Sequence, residues 1–453
     1  MKIDFKKEVL KRKDLLIKDL SNLISINSEL TTYDPMRKGM PFGQGPREAL
    51  DLMLEMGKRD GFNSLNVDGY AGHIELGTQD DYVAVLGHLD VVPAGNDWTY
   101  PPYQATIVDG KMYGRGVEDD KGPTMAAYYA MKILKELDVK LSKRIKLIIG
   151  TDEESGSRCV KHYFKKHPEQ PVSGFVPDAD FPLIYAEKGI VRFDLEGNID
   201  TDDIISIQSG FRANMVPDYA DIVLKGNYVE EIKQFDNSLL PTYNNKQTKV
   251  RLYGKSAHGS TPELGENSVF KLSKLLRYLK IDNNLVNLLS NYFEDDVLGT
   301  KLGINTECEE TGKLSLNLGV LKFEPNRFTI TLDIRYPKGI THLEIADIIN
   351  QKLEKFETSI VKIDNNDMLY VDPNSNLVQT LLEVYIKHTN HIDAKPMVIG
   401  GGTFARAISN VVAFGPHFPG KPSFIHQRDE YILVDDLIIA TIIYAEALYH
   451  LAK

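Results

Sequence analysis

Two residues that commonly bind metal ions, His88 and Asp90, follow a short apolar segment of the chain. The segment, residues 83–86, is rich in β-branched side chains, which is typical of a strand buried on both faces of a largely parallel sheet. Pro93 and Gly95 end it, so we expect His88 and Asp90 at the carboxyl end of the strand. Ligands bind at that edge of open α/β sheets, which makes the pair a candidate functional site. The alternative is a structural histidine that is hydrogen-bonded to one neighbouring carboxylate.

Metal-competent side chains also occur in four other segments: Asp119 with Asp120, Glu153 with Glu154, Asp178 with Asp180, and, far downstream, His426. Imidazole and carboxylate ligands suit zinc, manganese or cobalt, and a carboxylate shared by two such ions is the arrangement of two-metal hydrolases. Neighbouring side chains diverge on an extended backbone. One of Glu153 and Glu154 can therefore bind a metal ion while the other faces the water that this ion activates.

The composition indicates a globular protein of more than one domain. The chain has 453 residues, of which 42% are hydrophobic and 26% are charged, and this length suggests two or three domains. Its two cysteines, Cys159 and Cys308, fit a reducing compartment and are too few for a disulfide framework or a thiolate zinc cluster. A metal ion would therefore have to be held by His, Asp and Glu side chains.

Charge and hydropathy argue against nucleic-acid and membrane partners. The net charge of -11 comes from 64 acidic and 53 basic residues, and the sequence has no basic, aromatic-interleaved stripe that could follow a phosphate backbone. No apolar run approaches the roughly 18 residues of a membrane-spanning helix. The first residues are charged and amphipathic, without the apolar core of a signal peptide. We therefore expect a cytoplasmic protein.

The first 189 residues alternate between predicted helices and strands. We predict helices over residues 5–28, 46–61, 124–137 and 156–166, and strands over residues 72–77, 83–86, 144–150 and 183–188. The dipeptide Asp109-Gly110 predicts the turn of a hairpin over residues 105–114. The alternation indicates a doubly wound α/β unit.

The pattern changes after residue 189. Long alternating strands, such as residues 328–335, and helices such as residues 342–357 indicate an α+β domain over residues 190–371. Residues 372–453 return to the pattern of the first part. We therefore predict a catalytic domain made of residues 1–189 and 372–453, interrupted by an inserted domain at residues 190–371.

Taken together, the motifs resemble those of a known family. The segments GHLDVVP at 87–93, GRGVEDDKG at 114–122 and TDEES at 151–155 resemble the metal motifs of the dinuclear zinc peptidases of the aminoacylase and glutamate carboxypeptidase type. The resemblance is closest to the bacterial dipeptidase V type, the Xaa-His or carnosinase-like dipeptidases. It continues through residues 177–182, 214–218, 254–259, 333–337, 400–403 and the segment around His426. Each motif alone is weak, but their order and number cover nearly the whole chain.

The resemblance implies a centre with two divalent metal ions, zinc in the first place, with manganese or cobalt as alternatives. Asp119 would bridge the two ions. One site would be completed by His88 and Asp178, and the other by Glu154 and His426.

The same resemblance assigns two residues that would not bind metal. Glu153 would be the general base, and Asp90 would be the carboxylate that fixes the tautomer and orientation of His88. Asp178 is preferred to Asp180 as a ligand because the family places the ligand directly after the proline-like position.

By the same resemblance, the inserted domain is a lid that binds the substrate. His258 would stabilise the tetrahedral oxyanion, Asn214 would hold the substrate backbone, and Arg335 would pair with the free carboxylate of a dipeptide. The backbone of three further residues would complete that pocket: Gly401, Gly402 and Thr403. A lid of this size supplies its own histidine, which implies a monomer. From the residues alone, His258 could equally be a surface residue and Arg335 a member of a structural ion pair.

The implied fold is α/β, with a phosphorylase/hydrolase-like mixed-sheet catalytic domain that has helices on both faces and is interrupted by an inserted α+β lid domain. The implied activity is hydrolysis of dipeptides with a free carboxylate by a water that two metal ions activate. One alternative is an N-acyl amino acid deacylase or carboxypeptidase with the same site. Another is a non-catalytic binding protein on a peptidase scaffold, against which the retained ligands and Glu153 argue. Arg428 and Glu430, which flank His426, are expected to position its loop.

Overall fold

The protein is described by a computed structural model, which covers residues 3–199 and 201–453. Within those residues the chain forms eleven α-helices: α1 (Phe5–Leu10), α2 (Lys13–Ile24), α3 (Gln44–Arg59), α4 (Lys121–Glu136), α5 (Arg158–Lys166), α6 (Val229–Phe235), α7 (Ser268–Tyr278), α8 (Asn284–Tyr292), α9 (His342–Leu353), α10 (Asn376–Thr389) and α11 (Val434–Ala452). The helix predicted over residues 5–28 is divided into α1 and α2. Three short 3₁₀ helices occur at Pro262–Leu264, Glu354–Phe356 and Phe404–Ala407.

The strands alternate with the helices in the first third of the chain and cluster in its middle. They are β1 (Asn63–Val67), β2 (Ala71–Leu76), β3 (Tyr82–His88), β4 (Thr106–Val108), β5 (Lys111–Tyr113), β6 (Arg144–Gly150), β7 (Ser173–Val176), β8 (Ala179–Asp180), β9 (Ile184–Glu187), β10 (Gly189–Asn198), β11 (Ile204–Ser209), β12 (Tyr219–Lys225), β13 (Thr242–Asn244), β14 (Gln247–Tyr253), β15 (Glu307–Cys308), β16 (Gly312–Lys313), β17 (Ser315–Glu324), β18 (Arg327–Tyr336), β19 (Thr358–Asn366), β20 (Leu369–Tyr370), β21 (Met397–Ile399), β22 (Val411–Ala413), β23 (Pro416–His417) and β24 (Tyr431–Leu433). The predicted hairpin at residues 105–114 is confirmed as β4 and β5.

The chain divides into two compact units. Unit 1 contains the residues up to Ala186 together with Leu369–Met397 and Gly402–Lys453, and unit 2 contains Glu187–Met368 with Val398–Gly401. The first part of unit 1 ends at Ala186, three residues before the boundary expected at residue 189. The main part of unit 2 ends at Met368, three residues before the boundary expected at residue 371. In addition, a short segment near residue 400 belongs to unit 2.

Unit 1 contains a mixed sheet in the order β1-β2-β6-β3-β7-β22-β9-β20. Its four central strands, β6, β3, β7 and β22, are parallel to one another. The outer strands β1 and β2 are antiparallel, so the sheet is mixed rather than wholly parallel. The mixed-sheet α/β fold that the sequence implied is therefore confirmed.

Helices cover both faces of β3, and every residue of this strand is buried. On one face Tyr82, Ala84 and Leu86 share a hydrophobic core with Cys159 and other residues of α5. On the other face Gly87 approaches α4 so closely that an added Cβ would lie 2.0 Å from Thr124 Oγ1. Gly87 therefore sets how near α4 can come to the strand end that carries His88.

Helix α4 begins three residues before the predicted start, at Lys121. Pro123 lies in its first turn, where a missing backbone N–H has no cost. Residues from Lys121 to Leu134 are all buried, because α4 packs between the sheet and α11. The helix thereby holds its amino-terminal end, which follows Asp119 and Asp120, at the edge of the sheet.

Unit 2 is built on an antiparallel sheet in the order β13-β14-β12-β11-β17-β18-β10-β19. Strand β18 pairs with β10 on one side and with β17 on the other over most of its length. The apolar faces of these strands form one core with α7, α8 and α9. This arrangement agrees with the α+β pattern of the sequence.

Among the residues that the structure describes, none of the helices combines the length and the apolar character that a membrane-spanning segment requires.

Candidate active site

The site in unit 1 lies where three neighbouring parallel strands end. β3 ends at His88, β6 ends three residues before Glu153, and β7 ends two residues before Asp178. Because these strands are parallel and adjacent, their carboxyl ends bring the three segments to the same edge of the sheet. Asp119 joins them from the turn that precedes α4.

The carboxylate of Asp119 lies between two histidines. Its Oδ1 is 3.0 Å from His88 Nε2, and its Oδ2 is 3.0 Å from His426 Nε2. His426 Nε2 is also 3.0 Å from Glu154 Oε1, and His88 Nε2 is 3.7 Å from Asp178 Oδ2. The structure therefore brings together all five residues that the family resemblance assigns as metal ligands. Among them, His88, Asp119 and Glu154 present ligand atoms within 4.8 Å of one another.

His88 is buried and points a nitrogen without a hydrogen-bond partner into this cluster. Within the described residues its Nε2 has no such partner, although Asp119 Oδ1 is only 3.0 Å away. Its Nδ1 lies 3.0 Å from the backbone carbonyl oxygen of Asp90. An Nδ1–H that donates to this carbonyl leaves the lone pair of Nε2 directed at the carboxylates, which is how metal-binding histidines are held.

Asp90 acts on the site in a different way from the expected one. Its carboxylate accepts hydrogen bonds from the backbone N–H groups of Glu153, at 3.0 Å, and Glu154, at 3.1 Å. The distance from His88 Nδ1 to Asp90 Oδ1 is longer, at 3.5 Å. Asp90 therefore holds the ring of His88 mainly through its backbone carbonyl, while its carboxylate fixes the backbone of the two glutamates.

The cluster contains more negative charge than its own histidines can balance. Burial, joined by the charges of Glu154 and Asp119 and opposed by that of His88, raises the pKa of Glu153 to about 8. Burial and the charge of Asp119 raise the pKa of Asp178 well above its ordinary value. Hydrogen bonds that the protonated ring of His426 donates to the carboxylates of Asp119 and Glu154 raise the pKa of His426 to about 10. Divalent cations would neutralise this excess, and a donor set of oxygen and nitrogen atoms without sulfur suits zinc, manganese or cobalt.

In the metal-free protein, we expect the free energy of unfolding to fall as the pH rises from about 5 to about 7. Glu153, with a pKa of about 8, and Asp178 retain protons that the unfolded chain has already released. His426, with a pKa of about 10, does the same above pH 6.5. These groups make the folded state bind more protons than the unfolded chain in this pH range, so their contribution to stability falls as the pH rises.

Urea unfolding at pH 5, 6 and 7 in a chelator would measure this trend. Saturating zinc should reverse it, because metal ions bind the deprotonated ligands. Carboxyl groups with lowered pKa values, such as Glu446 with a pKa of about 2, change the free energy of unfolding mainly below pH 5. Stability that rises with pH in the chelator would contradict the proposed charge excess.

Asp178 and Asp180 differ clearly in position. Asp178 lies in the cluster, at 3.7 Å from His88. Asp180 is exposed and belongs to β8, which pairs with β23. Of the two, only Asp178 is placed where it could share a metal ion with His88.

Two buried carboxylates support the site but received no role in the metal centre from the sequence. Asp120 Oδ2 accepts hydrogen bonds from the backbone N–H of His88, at 3.0 Å, and from Thr124 Oγ1, at 2.9 Å. Glu430, expected only to position the loop of His426, accepts hydrogen bonds from the loop that carries Asp119. The adjacent aspartates were a usable signal for Asp120. Glu430 lies more than 300 residues from its partners, and no local pattern reveals that contact.

Unit 2 brings its own set of predicted residues together. The backbone of His258 forms a bridge with Met215, and Gly259 N–H donates to Asn214 O at 2.8 Å. Arg335 is buried, pairs with Asp333 through Nε at 2.5 Å and Nη2 at 3.1 Å, and donates from Nη1 to Gly400 O at 2.7 Å. The structural ion pair is therefore present, and three of the five guanidinium N–H groups have acceptors among the described residues.

The hydrogen bonds of His258 define which of its nitrogens can donate. The backbone N–H of Ser260 donates to His258 Nδ1 at 3.2 Å, and Ser260 Oγ lies 2.7 Å from the same atom. Nδ1 is therefore an acceptor, so the hydrogen of the neutral ring is on Nε2. His258 is an exposed residue. Partial desolvation of its ring and the charge of Arg335 lower its pKa, which favours the neutral ring that can donate to an oxyanion.

The glycine-rich segment near residue 400 is divided between the units. Gly401 belongs to unit 2, whereas Gly402 and Thr403 belong to unit 1. Thr403 caps the 3₁₀ helix Phe404–Ala407, accepting a hydrogen bond from Ala405 N–H at 3.1 Å. The ring of Phe404 packs edge-on against that of His88, with 6.0 Å between ring centres. Through Phe404, this segment therefore also packs against the cluster of histidines and carboxylates around Asp119.

Comparison with known proteins places this geometry in a group of peptidases. Residues 84–450 match the protein family described as "Peptidase family M20/M25/M40". A Bacillus subtilis protein named "Putative dipeptidase YtjP" is 43% identical over 98% of this chain and 99% of its own length. A Staphylococcus epidermidis protein named "Putative dipeptidase" is 39% identical, with 99% of each chain covered. The structure of human carnosine dipeptidase 1 is similar in fold, with a TM-score of 0.60 and 16% identity over 99% of this chain and 98% of the other.

Proposed function

The chain belongs to the peptidase family M20/M25/M40, and from that membership we propose that it is a metal-dependent dipeptidase whose substrates carry a free carboxylate. It is a peptidase, and hence a hydrolase. The dipeptide preference is supported by the names of relatives that are 43% and 39% identical over nearly the whole chain.

The single observation that carries the proposal is the position of the Asp119 carboxylate. Each of its oxygens lies 3.0 Å from a different histidine, His88 or His426. A carboxylate whose two oxygens each lie near a different histidine is suited to be shared by two cations. We infer that Asp119 would be shared by two divalent ions, and that His88 and Asp178 would hold one of them and Glu154 and His426 the other. Zinc is the preferred metal, with manganese or cobalt as alternatives.

Glu153 is the proposed general base. Divalent ions at such a site lower the pKa of water and polarise the scissile carbonyl. Glu153 is adjacent to the ligand Glu154, and its backbone is fixed by Asp90. Its carboxylate takes the proton of the attacking water and passes it to the leaving amine, so that its carboxylate form is restored at the end of each turnover.

Unit 2 is the proposed lid, and its residues bind the substrate. His258 donates from Nε2 to the oxyanion, Asn214 holds the peptide backbone, and Arg335 pairs with the free carboxylate. The backbone of Gly401, Gly402 and Thr403 completes the carboxylate pocket. Because the chain carries its own lid histidine, we propose that it acts as a monomer. We also propose that it is a cytoplasmic protein.

A steady-state comparison of substrate classes tests the proposed activity. The metal-loaded protein is assayed with dipeptides, tripeptides, dipeptide amides and N-acyl amino acids, and its metal content is measured in the same samples. We expect kcat/KM to be highest for dipeptides with a free carboxylate. Faster turnover of N-acyl amino acids would identify a deacylase, faster turnover of tripeptides would identify a peptidase for longer substrates, and either would contradict the proposal.

Replacing Arg335 with alanine should raise KM about 10- to 100-fold for dipeptides, because a hydrogen-bonded pair with a charged group contributes roughly 1.5–3 kcal/mol. The two guanidinium N–H groups without a partner among the described residues are available for this pair. The dipeptide amide, which lacks the carboxylate charge, should be affected much less. Equal effects on acid and amide would show that Arg335 has only its structural role.

Arg192 offers a matched control for this variant. It lies on the neighbouring strand β10, opposite Asp333, and bonds the same carboxylate through Nε at 3.2 Å. Arg192→Ala therefore removes one guanidinium from Asp333 without removing the proposed substrate contact. We expect its KM for dipeptides to stay near that of wild type, because Arg335 keeps its own hydrogen bonds to Asp333 and Gly400 in this variant.

A further inference from the structure

We propose that Glu430 is a positioning residue that joins the loop of His426 to the loop of Asp119 and so assembles the two halves of the metal centre. This inference rests on the proposed function, because it concerns the same metal centre. It assigns to one buried carboxylate the task of holding two ligands that are about 300 residues apart in the chain.

The side chain of Glu430 is surrounded by hydrogen-bond donors from a single loop. Its Oε1 accepts from the backbone N–H groups of Glu118, at 3.0 Å, and Asp119, at 3.3 Å. Its Oε2 accepts from the backbone N–H of Gly116, at 3.2 Å, and from Arg115 Nη1, at 2.6 Å. Three backbone amides and one guanidinium therefore converge on one carboxylate that is only 1% exposed.

The backbone on either side of Glu430 is held as well. Its carbonyl oxygen accepts from Gly114 N–H at 3.0 Å. The strand β24 begins at the next residue, Tyr431, and pairs antiparallel with β5. The His426 loop thus arrives at the metal cluster from an anchored end, and Glu430 locks that end to the turn that carries Asp119.

This geometry requires a carboxylate rather than any polar side chain of the same size. All four partners of Glu430 are donors, so both of its oxygens must accept. A glutamine could satisfy only the pair on one side, because its NH₂ group would face the donors on the other side. A buried donor that faces another donor has no hydrogen bond, and its uncompensated desolvation destabilises the fold. Glu430→Gln should therefore loosen the loop although the volume of the side chain is unchanged.

The consequence for the metal centre follows from the position of Asp119. Its N–H is bound by Glu430, and its carboxylate contacts His88 and His426. If this turn is loosened, the carboxylate of Asp119 is no longer held in place. If the His426 loop is freed, the affinity for the ion that His426 and Glu154 would hold decreases. Groups that orient metal ligands typically change metal affinity by 10- to 100-fold when they are replaced.

The test compares Glu430→Gln with Asp429→Asn as a matched control. Both variants replace a carboxyl group in the same loop with an amide of the same size. Asp429 is only partly buried. It accepts hydrogen bonds from Thr99 N–H at 2.7 Å and from Thr99 Oγ1 at 2.9 Å, and Thr99 lies in a segment without proposed ligands. Its backbone has a φ of 57°, and asparagine tolerates this left-handed conformation well.

The first readout is cobalt binding by the metal-free proteins, followed by the visible spectrum of the bound ion. We expect wild type and Asp429→Asn to bind two equivalents with the same spectrum. Glu430→Gln should bind the weaker of the two equivalents 10- to 100-fold less tightly and with an altered spectrum. Its kcat should fall while KM changes little, because none of the proposed substrate contacts lies in the loop of Glu430 or in the loop of Asp119. Cobalt binding and a spectrum like those of wild type in folded Glu430→Gln would overturn the inference.

The second readout uses the wild-type protein alone, in case the variant does not fold. Residue-resolved hydrogen exchange of the metal-free protein should show protected amides at Gly116, Glu118 and Asp119. Exchange of these amides at the rate of an open loop would also overturn the inference. Both readouts are independent of peptide hydrolysis, so an inactive wild-type protein would contradict the proposed function without affecting this result.

Discussion

Replacing Glu153 with glutamine should lower kcat by about 10²- to 10⁴-fold, the range that a general base contributes, while metal content stays near that of wild type. Glutamine has the size of glutamate but cannot accept a proton. Burial raises the pKa of Glu153 to about 8 in the metal-free protein, so the group is mostly neutral there at pH 7. A neutral amide should therefore be tolerated by the fold.

The neighbouring residue supplies the contrast. Glu154 Oε1 lies 3.0 Å from His426 Nε2, and we propose it as a metal ligand. Glu154→Gln should therefore lower metal content together with activity, whereas Glu153→Gln should lower activity alone. Metal analysis and steady-state kinetics on both variants separate the two roles. Full activity in Glu153→Gln, or equal metal loss in the two variants, would refute the assignment of the base.

Replacing Asp119 with asparagine should reduce the occupancy of both metal sites and abolish turnover. Asp119 is the only proposed ligand whose two oxygens contact different histidines, each at 3.0 Å. An asparagine has one oxygen and one NH₂ group, so one histidine would face a donor, and the charge that attracts both cations would be lost. Metal analysis after dialysis measures the result. Loss of only one ion would contradict the bridging role.

Asp120→Asn is the matched control for that variant. Asp120 is adjacent and also buried, but its carboxylate accepts hydrogen bonds from the backbone N–H of His88 and from Thr124 Oγ1 rather than facing a histidine ring. One oxygen is enough to accept both of these bonds, and asparagine retains one. We therefore expect Asp120→Asn to keep most of its metal, so that a loss of both ions is specific to Asp119.

The position of His88 could be predicted from the sequence because local rules determine it. A short, uniformly apolar run is a strand buried on both faces of a parallel sheet, and β3 is such a strand, with parallel neighbours β6 and β7. The carboxyl ends of neighbouring parallel strands then bring Glu153 and Asp178 to the same edge. The strand before Glu153 was predicted from this pattern, but β7 was not, and Asp178 was chosen over Asp180 from the family resemblance.

The supporting contacts could not be predicted, because they depend on backbone atoms and on distant parts of the chain. Asp90 was expected to orient His88 through its carboxylate, yet the ring lies closest to the backbone carbonyl. No side-chain pattern distinguishes these two arrangements. The bond between Glu430 and Arg115 joins residues 315 positions apart. Such contacts are created by tertiary packing and leave no local signal.

Two elements of unit 2 illustrate a different limit. Helix α8 carries a usable start signal, since Asn283 caps it by accepting from Val286 N–H, but its nine residues are short for a helical period to be recognised. Strand β18 was predicted because its ten residues alternate over a long stretch. The length of an element thus decided which parts of this domain were visible in the sequence.

Activity measured as a function of added metal is the most direct test of the central claim. The metal-free protein is titrated with zinc or cobalt from zero to three equivalents per chain, and hydrolysis of a dipeptide with a free carboxylate is followed at each step. We predict that activity reaches its maximum at two equivalents and that Asp119→Asn stays inactive throughout. Maximum activity at one equivalent, or no dipeptide hydrolysis at any metal content, would contradict the two-ion dipeptidase proposed for this chain.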